Sequence, residues 1–93
     1  MKSKFLPKLD ISVNEETGEI RAAYLQIRKG AVHETREVSE GTAFADYAKN
    51  GWLLGLELLG PCKVTVLDKL AKKEPQPIKR FLLGSPPREL VTT

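Results

Sequence analysis

Residues 43–60 read AFADYAKNGWLLGLELLG, and the way this stretch folds decides the architecture. Its second half is dense in leucine yet carries a carboxylate, Glu57. It falls well short of the about 20 apolar residues that cross a bilayer. Gly55 and Glu57 also interrupt it, so a membrane span is excluded. Asn50-Gly51 is the strongest short-range hairpin signal a sequence offers, because both residues tolerate the positive φ that tight hairpin turns require. A two-residue loop at Asn50-Gly51 makes 42–47 and 52–59 the two arms of a hairpin. Lys49 then faces Trp52, Tyr47 faces Leu54, Ala45 faces Leu56 and Ala43 faces Leu58. Small alanines opposite large leucines fill a thin core. The other face carries Phe44, Asp46, Leu53, Gly55, Glu57 and Leu59. A bulged three-residue loop would exchange the two faces, and both registers stay open from the residues alone.

Working outward, LDISV (9–13) alternates strictly, with Leu9, Ile11 and Val13 on one side and Asp10 and Ser12 on the other, the period of a strand with one buried face. NEETGE (14–19) supplies a turn at Gly18. In EIRAAYLQIRKG (19–30), Ala23, Leu25 and Ile27 share one face, and Ala22, Tyr24, Gln26 and Arg28 the other. AVHETREV (31–38) is β-branched but sparse in apolar residues, which suits an exposed or partner-covered strand. After Gly60-Pro61 the period changes. VTVLDKLAKK (64–73) reads as a helix, with Thr65 and Asp68 spaced as a capping box. EPQP (74–77) breaks it, IKRFLLG (78–84) forms a second short helix ended by Gly84, and SPPREL (85–90) adds a further turn. The expectation is an α+β fold in a single domain, 1–93: a five-stranded antiparallel β-meander over 5–60, then two or three short helices over 61–93.

A chain of 93 residues buries only about two-thirds of its unfolded surface, so self-association is an expected source of stability. Cys62 is the single cysteine, which rules out an intramolecular disulfide, fits a reducing, cytoplasmic compartment and reads as a small hydrophobe. The opening MKSKFLPKLD is too short in apolar residues, and interrupted by Pro7, to be a secretory leader. The net charge of +3 is uneven. Residues 1–60 hold eight Lys/Arg against nine Asp/Glu, a net of −1, while residues 61–93 hold seven against three, a net of +4. The plainer reading of that basicity is a solvated helix face. As a surface, Lys69, Lys72, Lys73, Lys79 and Arg80 would meet an anion or an acidic partner.

Chemistry is sparse. Asp46 and Glu57 are diagonal neighbours across the hairpin, about 7–8 Å apart. They are the one candidate carboxylate pair, but with no visible substrate pocket a rim position or a pairing of Glu57 with Arg36 or Arg21 is the simpler role. Asp46, Glu57 and His33 lack ligand spacing for a metal. Arg36 offers a bidentate grip on a carboxylate, and Tyr24 and Tyr47 are amphipathic residues at the edge of the core. No phosphate loop, nucleophile triad or zinc pattern is present, and no cofactor is expected. The chain reads as a non-enzyme.

EETGEIRAAYLQIRKG (15–30), VHETREV (32–38), ADYAKNGWLLGLELL (45–59) and KVTVLDKL (63–70) together resemble a bacterial family known as domain of unknown function 2283. Its members read aYiRl..G.v..T.EV followed by v.vDYd..G.lvGiEil. The matching positions are Tyr24, Gly30, Val32, Thr35, Glu37, Val38, Asp46, Tyr47, Gly51, Gly55 and Glu57, spread over roughly residues 13–70. Gln26 stands where the family often has arginine, and Ala48 where it often has a second acid. The family has no established activity, and the resemblance implies an antitoxin-like protein partnered by a small toxin. The leading expectation is a self-associating interaction module, a homodimer or higher oligomer with a protein partner. The alternative is an oligomer holding a small anionic ligand or nucleotide between subunits, using Tyr24, Arg36, Asp46 and Glu57. Nucleic-acid binding ranks last, because no helix-turn-helix and only Phe81 accompany the basic residues.

Overall fold

The computed structural model describes residues 5–93; the lysine-bearing opening of the chain, residues 1–4, lies outside the described residues. Five strands form one antiparallel sheet: β1 (Lys8–Val13), β2 (Ile20–Gln26), β3 (Glu34–Ser39), β4 (Ala43–Tyr47) and β5 (Leu53–Leu58). Two short helices follow, α1 (Val64–Ala71) and α2 (Gln76–Gly84). The α+β class and the C-terminal helices are therefore as the sequence predicts. The strands are not laid down strictly in sequence, however. Their order is β1-β2-β5-β4-β3, so β5 inserts between β2 and β4. The reason lies in composition. β5 is buried at every position but Glu57 and takes the centre, whereas β3, with Glu34, Arg36 and Glu37, is the least suited to burial and takes an edge.

The β4–β5 hairpin combines both registers that the sequence leaves open. Ala43 pairs with Leu58, Phe44 with Glu57, Ala45 with Leu56 and Asp46 with Gly55, as a two-residue loop predicts. The loop itself is three residues long. The Ala48 N–H donates to the Trp52 carbonyl at 2.9 Å, and Gly51 adopts φ +90°. An irregularity between Asp46 and Tyr47 pairs Tyr47 with Leu53 and leaves Leu54 as an extra residue. Such a bulge inserts one residue and re-aims its neighbours. The Leu54 carbonyl is then free to accept from both Ile27 N–H (2.8 Å) and Arg28 N–H (3.1 Å). The consequence corrects the predicted faces near the turn. Leu53 joins the core, and Trp52, expected there, is left exposed at the rim.

Both helices pack on the face of the sheet formed by Ala23, Leu25, Ala43, Ala45, Leu56 and Leu58, with Leu67, Ala71, Ile78, Leu82 and Leu90 completing a single cluster. Cys62 lies in it as an apolar residue, and burial pushes its thiol up from the ordinary range. The capping box does not form: Lys63 is the N-cap residue, with no side-chain cap bond, and Thr65 lies inside the first turn. Nor does EPQP lie wholly between helices. Pro75 is the N-cap of α2 and Pro77 falls in its first turn, where a missing N–H costs nothing. A 3₁₀ turn (Arg88–Leu90) leads into β7 (Val91–Thr92), which pairs in parallel with β6 (Cys62–Lys63) and ties the C-terminal end beside the start of α1. The helices have eight and nine residues, roughly 12–14 Å each at 1.5 Å per residue. They cover core residues of β2, β4 and β5, while Leu9, Ile11 and Val13 of β1 stay outside the cluster.

Candidate functional site

The face of the sheet turned away from the helices carries three of the four residues that the sequence singles out. In register, Gln26, Gly55 and Asp46 form one row across β2, β5 and β4, and Thr35 of β3 extends it. Tyr24, Glu57 and Phe44 form the next row. Tyr24 and Asp46 sit two strands apart, roughly 9–10 Å at the spacing of neighbouring strands. They nevertheless meet, because Tyr24 lies diagonally across Gly55. Its hydroxyl donates to Asp46 Oδ2 at 2.7 Å. A Cβ at residue 55 would run into the Tyr24 hydroxyl and come within 2.9 Å of its ring at Cε2, so glycine here is what opens the path. The Thr35 hydroxyl donates to Asp46 Oδ1 at 2.6 Å. Both carboxylate oxygens of Asp46 are thus engaged, and a track of side chains runs from β3 to β2.

This track is a clamp. Burial, then the hydrogen bond to Asp46, then the negative charges of Asp46 and Glu57 raise the Tyr24 phenol far above its ordinary value of 10.0. It therefore stays a protonated donor at neutral pH, and the carboxylate opposite it is saturated. Glu57 is exposed between Tyr24 and Phe44, and among the described residues it has no salt-bridge partner. The expected pairing with Arg36 or Arg21 does not occur.

Arg36 belongs elsewhere. It pairs in register with the buried Ala45 and so projects to the opposite face from Asp46. Its guanidinium grips Glu34 of its own strand through Nε at 2.9 Å and Nη2 at 3.1 Å. It also lies 4.6 Å from the centroid of the Tyr47 ring. The hydrogen bond from Arg36 holds the Glu34 carboxyl below its usual range. Burial raises the Tyr47 phenol. The four candidate residues thus fall on two faces and form no common site. His33 is exposed beside β3, and no group of three or more His, Cys, Asp or Glu among the described residues is placed to hold a metal ion.

A second feature lies where the β4–β5 turn meets the end of α1. Here a cavity of about 490 Å³ is lined by Trp52 and Arg28 on the sheet side and by Lys69, Lys72, Lys73 and Glu74 on the helix side. Lys79 and Arg80 of the basic segment do not line it. Arg28, which strand alternation places among the wet residues, is only 9% exposed. The bulge explains why: Ile27 and Arg28 both donate to Leu54, which draws Arg28 in beside β5. Its Nη1 donates to the Leu53 carbonyl at 2.8 Å, and its Nη2 to Glu74 Oε1 at 2.7 Å. The guanidinium also stands 5.7 Å from the centroid of the Trp52 ring. Nothing in the local sequence marks Arg28; the only hint is a charged residue directly after an alternating apolar run.

No helix among the described residues is long and apolar enough to cross a membrane. No family model matches the chain, and neither a curated protein nor a solved structure shows significant similarity to it.

Proposed function

We propose that the chain is a small, non-catalytic interaction module that self-associates through β1. One observation carries this reading. Leu9 and Ile11 pair in register with Leu25 and Ala23, so with Val13 they lie on the core side of the sheet. Yet they are 37%, 45% and 49% exposed and lie outside the core cluster. β1 is also an edge strand, hydrogen-bonded on one side only. An exposed edge with an apolar face is a template for pairing with another strand.

The occupant that fits is a second copy. An antiparallel two-fold pairing centred on Ile11 sets Ile11 against its own mate and Leu9 against Val13. On the other face it sets Asp10 against Ser12. Apolar residues then meet apolar residues, no like charges are opposed, and the patch is self-complementary, as a two-fold interface must be. Asp46 accepts from Tyr24 and Thr35 through both of its oxygens and so serves to hold three strands together. Light scattering across a concentration series is expected to show a dimer. An Ile11→Cys variant should form a disulfide with its mate on mild oxidation, while a Ser12→Cys variant should not, since Ser12 opposes Asp10 and its own mate lies diagonally about 7–8 Å away. A monomer at every concentration sinks the proposal, and cross-linking at residue 12 and not at residue 11 sinks this register.

A further inference from the structure

We infer that the cavity between the β4–β5 turn and the end of α1 is a binding site for a small aromatic phosphate of the nucleoside monophosphate class. At about 490 Å³ it falls in the range of small-molecule sites, roughly 300–1,000 Å³. Its walls divide by chemistry. The sheet wall offers the Trp52 indole, 39% exposed, with Tyr47 beside it. Such a ring is a platform for a flat, aromatic group. The helix wall offers the ammonium groups of Lys69, Lys72 and Lys73, all exposed and free to reach a phosphate. Glu74 is the only acid among the described lining residues.

Arg28 is the second observation. It is the one charged residue buried in the chain's described part, and its Nε is buried with no hydrogen-bond partner. A buried guanidinium left partly unsatisfied is a fixed positive charge in a poorly hydrated wall, where attraction to an anion is strongest. The carboxylate of Glu74, 2.7 Å from its Nη2, offsets one of the positive charges on the lining and leaves Nε as the donor without a partner. Four cations thus converge with one anion on a cavity that has an aromatic wall. A ligand joining a ring to a doubly charged phosphate answers both walls, whereas a ring or a phosphate alone answers one.

The chain has a single tryptophan, so Trp52 fluorescence reads this cavity alone. Titration with adenosine 5′-monophosphate is expected to give a saturable quench that weakens as salt is added. Adenosine and ribose 5-phosphate should each bind at least about tenfold more weakly. A Lys72→Ala, Lys73→Ala double variant, altered only at exposed positions, should also lose about tenfold in affinity. No saturable quench at about 1 mM nucleotide, or an affinity that the double variant leaves unchanged, overturns the inference. Equal binding of ribose 5-phosphate overturns the aromatic half of it. Binding of a short oligonucleotide without binding of the monophosphate overturns it in favour of a nucleic-acid surface. The dimer at β1 is a separate matter, and light scattering on the same samples reads it independently.

Discussion

The two edges of the sheet are built in opposite ways. At one edge, β3 presents Glu34, Thr35, Arg36 and Glu37, all exposed, with Arg36 and Glu34 locked as a bidentate pair. At the other, β1 presents Leu9, Ile11 and Val13 to solvent. Charged side chains on an edge discourage further strand pairing, and β3 has them while β1's core-side face has none. The edges also differ in how they are held. Through Thr35, β3 is bonded to Asp46, and Asp46 to Tyr24 of β2 across Gly55. That track ends at β2, where Gln26 Nε2 donates to the Leu6 carbonyl just ahead of β1 at 3.0 Å, and β1 itself is joined to the sheet by its backbone ladder. The proposed pairing uses the edge whose exposed core-side face is apolar and carries no charge.

The largest expected effect comes from reversing that character at β1. Ile11→Glu places two carboxylates against each other at the two-fold centre, where like charges directly opposite destabilise. Light scattering should report complete loss of the dimer with the circular dichroism spectrum retained, because Ile11 is half exposed in the single chain. Survival of the dimer would mean that β1 is not the contact.

Next in size is the anchoring of the guarded edge. Gly55→Ala forces Tyr24 off its path and is expected to cost about 1–3 kcal/mol in urea unfolding, as overpacked sites do. A cost near zero would show that Tyr24 moves away freely and that the track holds nothing. Asp46→Asn removes the charge at the middle of the track and is expected to cost about 1–2 kcal/mol. It should also lower the pH at which the Tyr24 phenol ionises, read as phenolate absorbance. The sign follows from the raised phenol. The protonated form is the one the fold favours, so its contribution is complete below pH 10.0 and is lost as pH rises beyond that value. In Asp46→Asn that alkaline loss should be smaller and complete at a lower pH, because the folded phenol then titrates closer to 10.0. An unchanged titration would remove Asp46 as a cause.

The smallest effect is expected at the guard itself. Arg36→Gln breaks an exposed ion pair, a kind of contact that adds little to stability. The melting temperature should hold, and Glu34 should titrate nearer its usual range. A pronounced loss of stability would show that the stacking of Arg36 on Tyr47 matters more than its charge.

Much of the sheet was legible from local pattern. The alternation in 9–13, the alanines opposite leucines in 43–58 and the Asn-Gly turn located strands and most of the central register, because side-chain period and turn chemistry are properties of neighbouring residues. The diagonal placement of Asp46 and Glu57 followed from that register. The candidate sites were less legible. Tyr24 and Asp46 were separately visible, but their bond depends on Gly55 of a third strand lying between them. Arg36 seemed to belong with them, yet β3 turns it to the other face. Arg28 gave only the hint of a charge directly after an alternating apolar run, since its burial depends on a single extra residue, Leu54, in a different strand.

By itself, then, the sequence determined which segments are strands and helices, which faces are apolar, and where the chain turns, since hydrophobic period and glycine's tolerance of positive φ act locally. Only the tertiary structure decided the order β1-β2-β5-β4-β3, the bulge that draws Arg28 inward and exposes Trp52, and the stretch of sheet left bare. Those depend on which strand wins the centre and on how far two short helices reach, and both are settled by competition for burial across the whole chain.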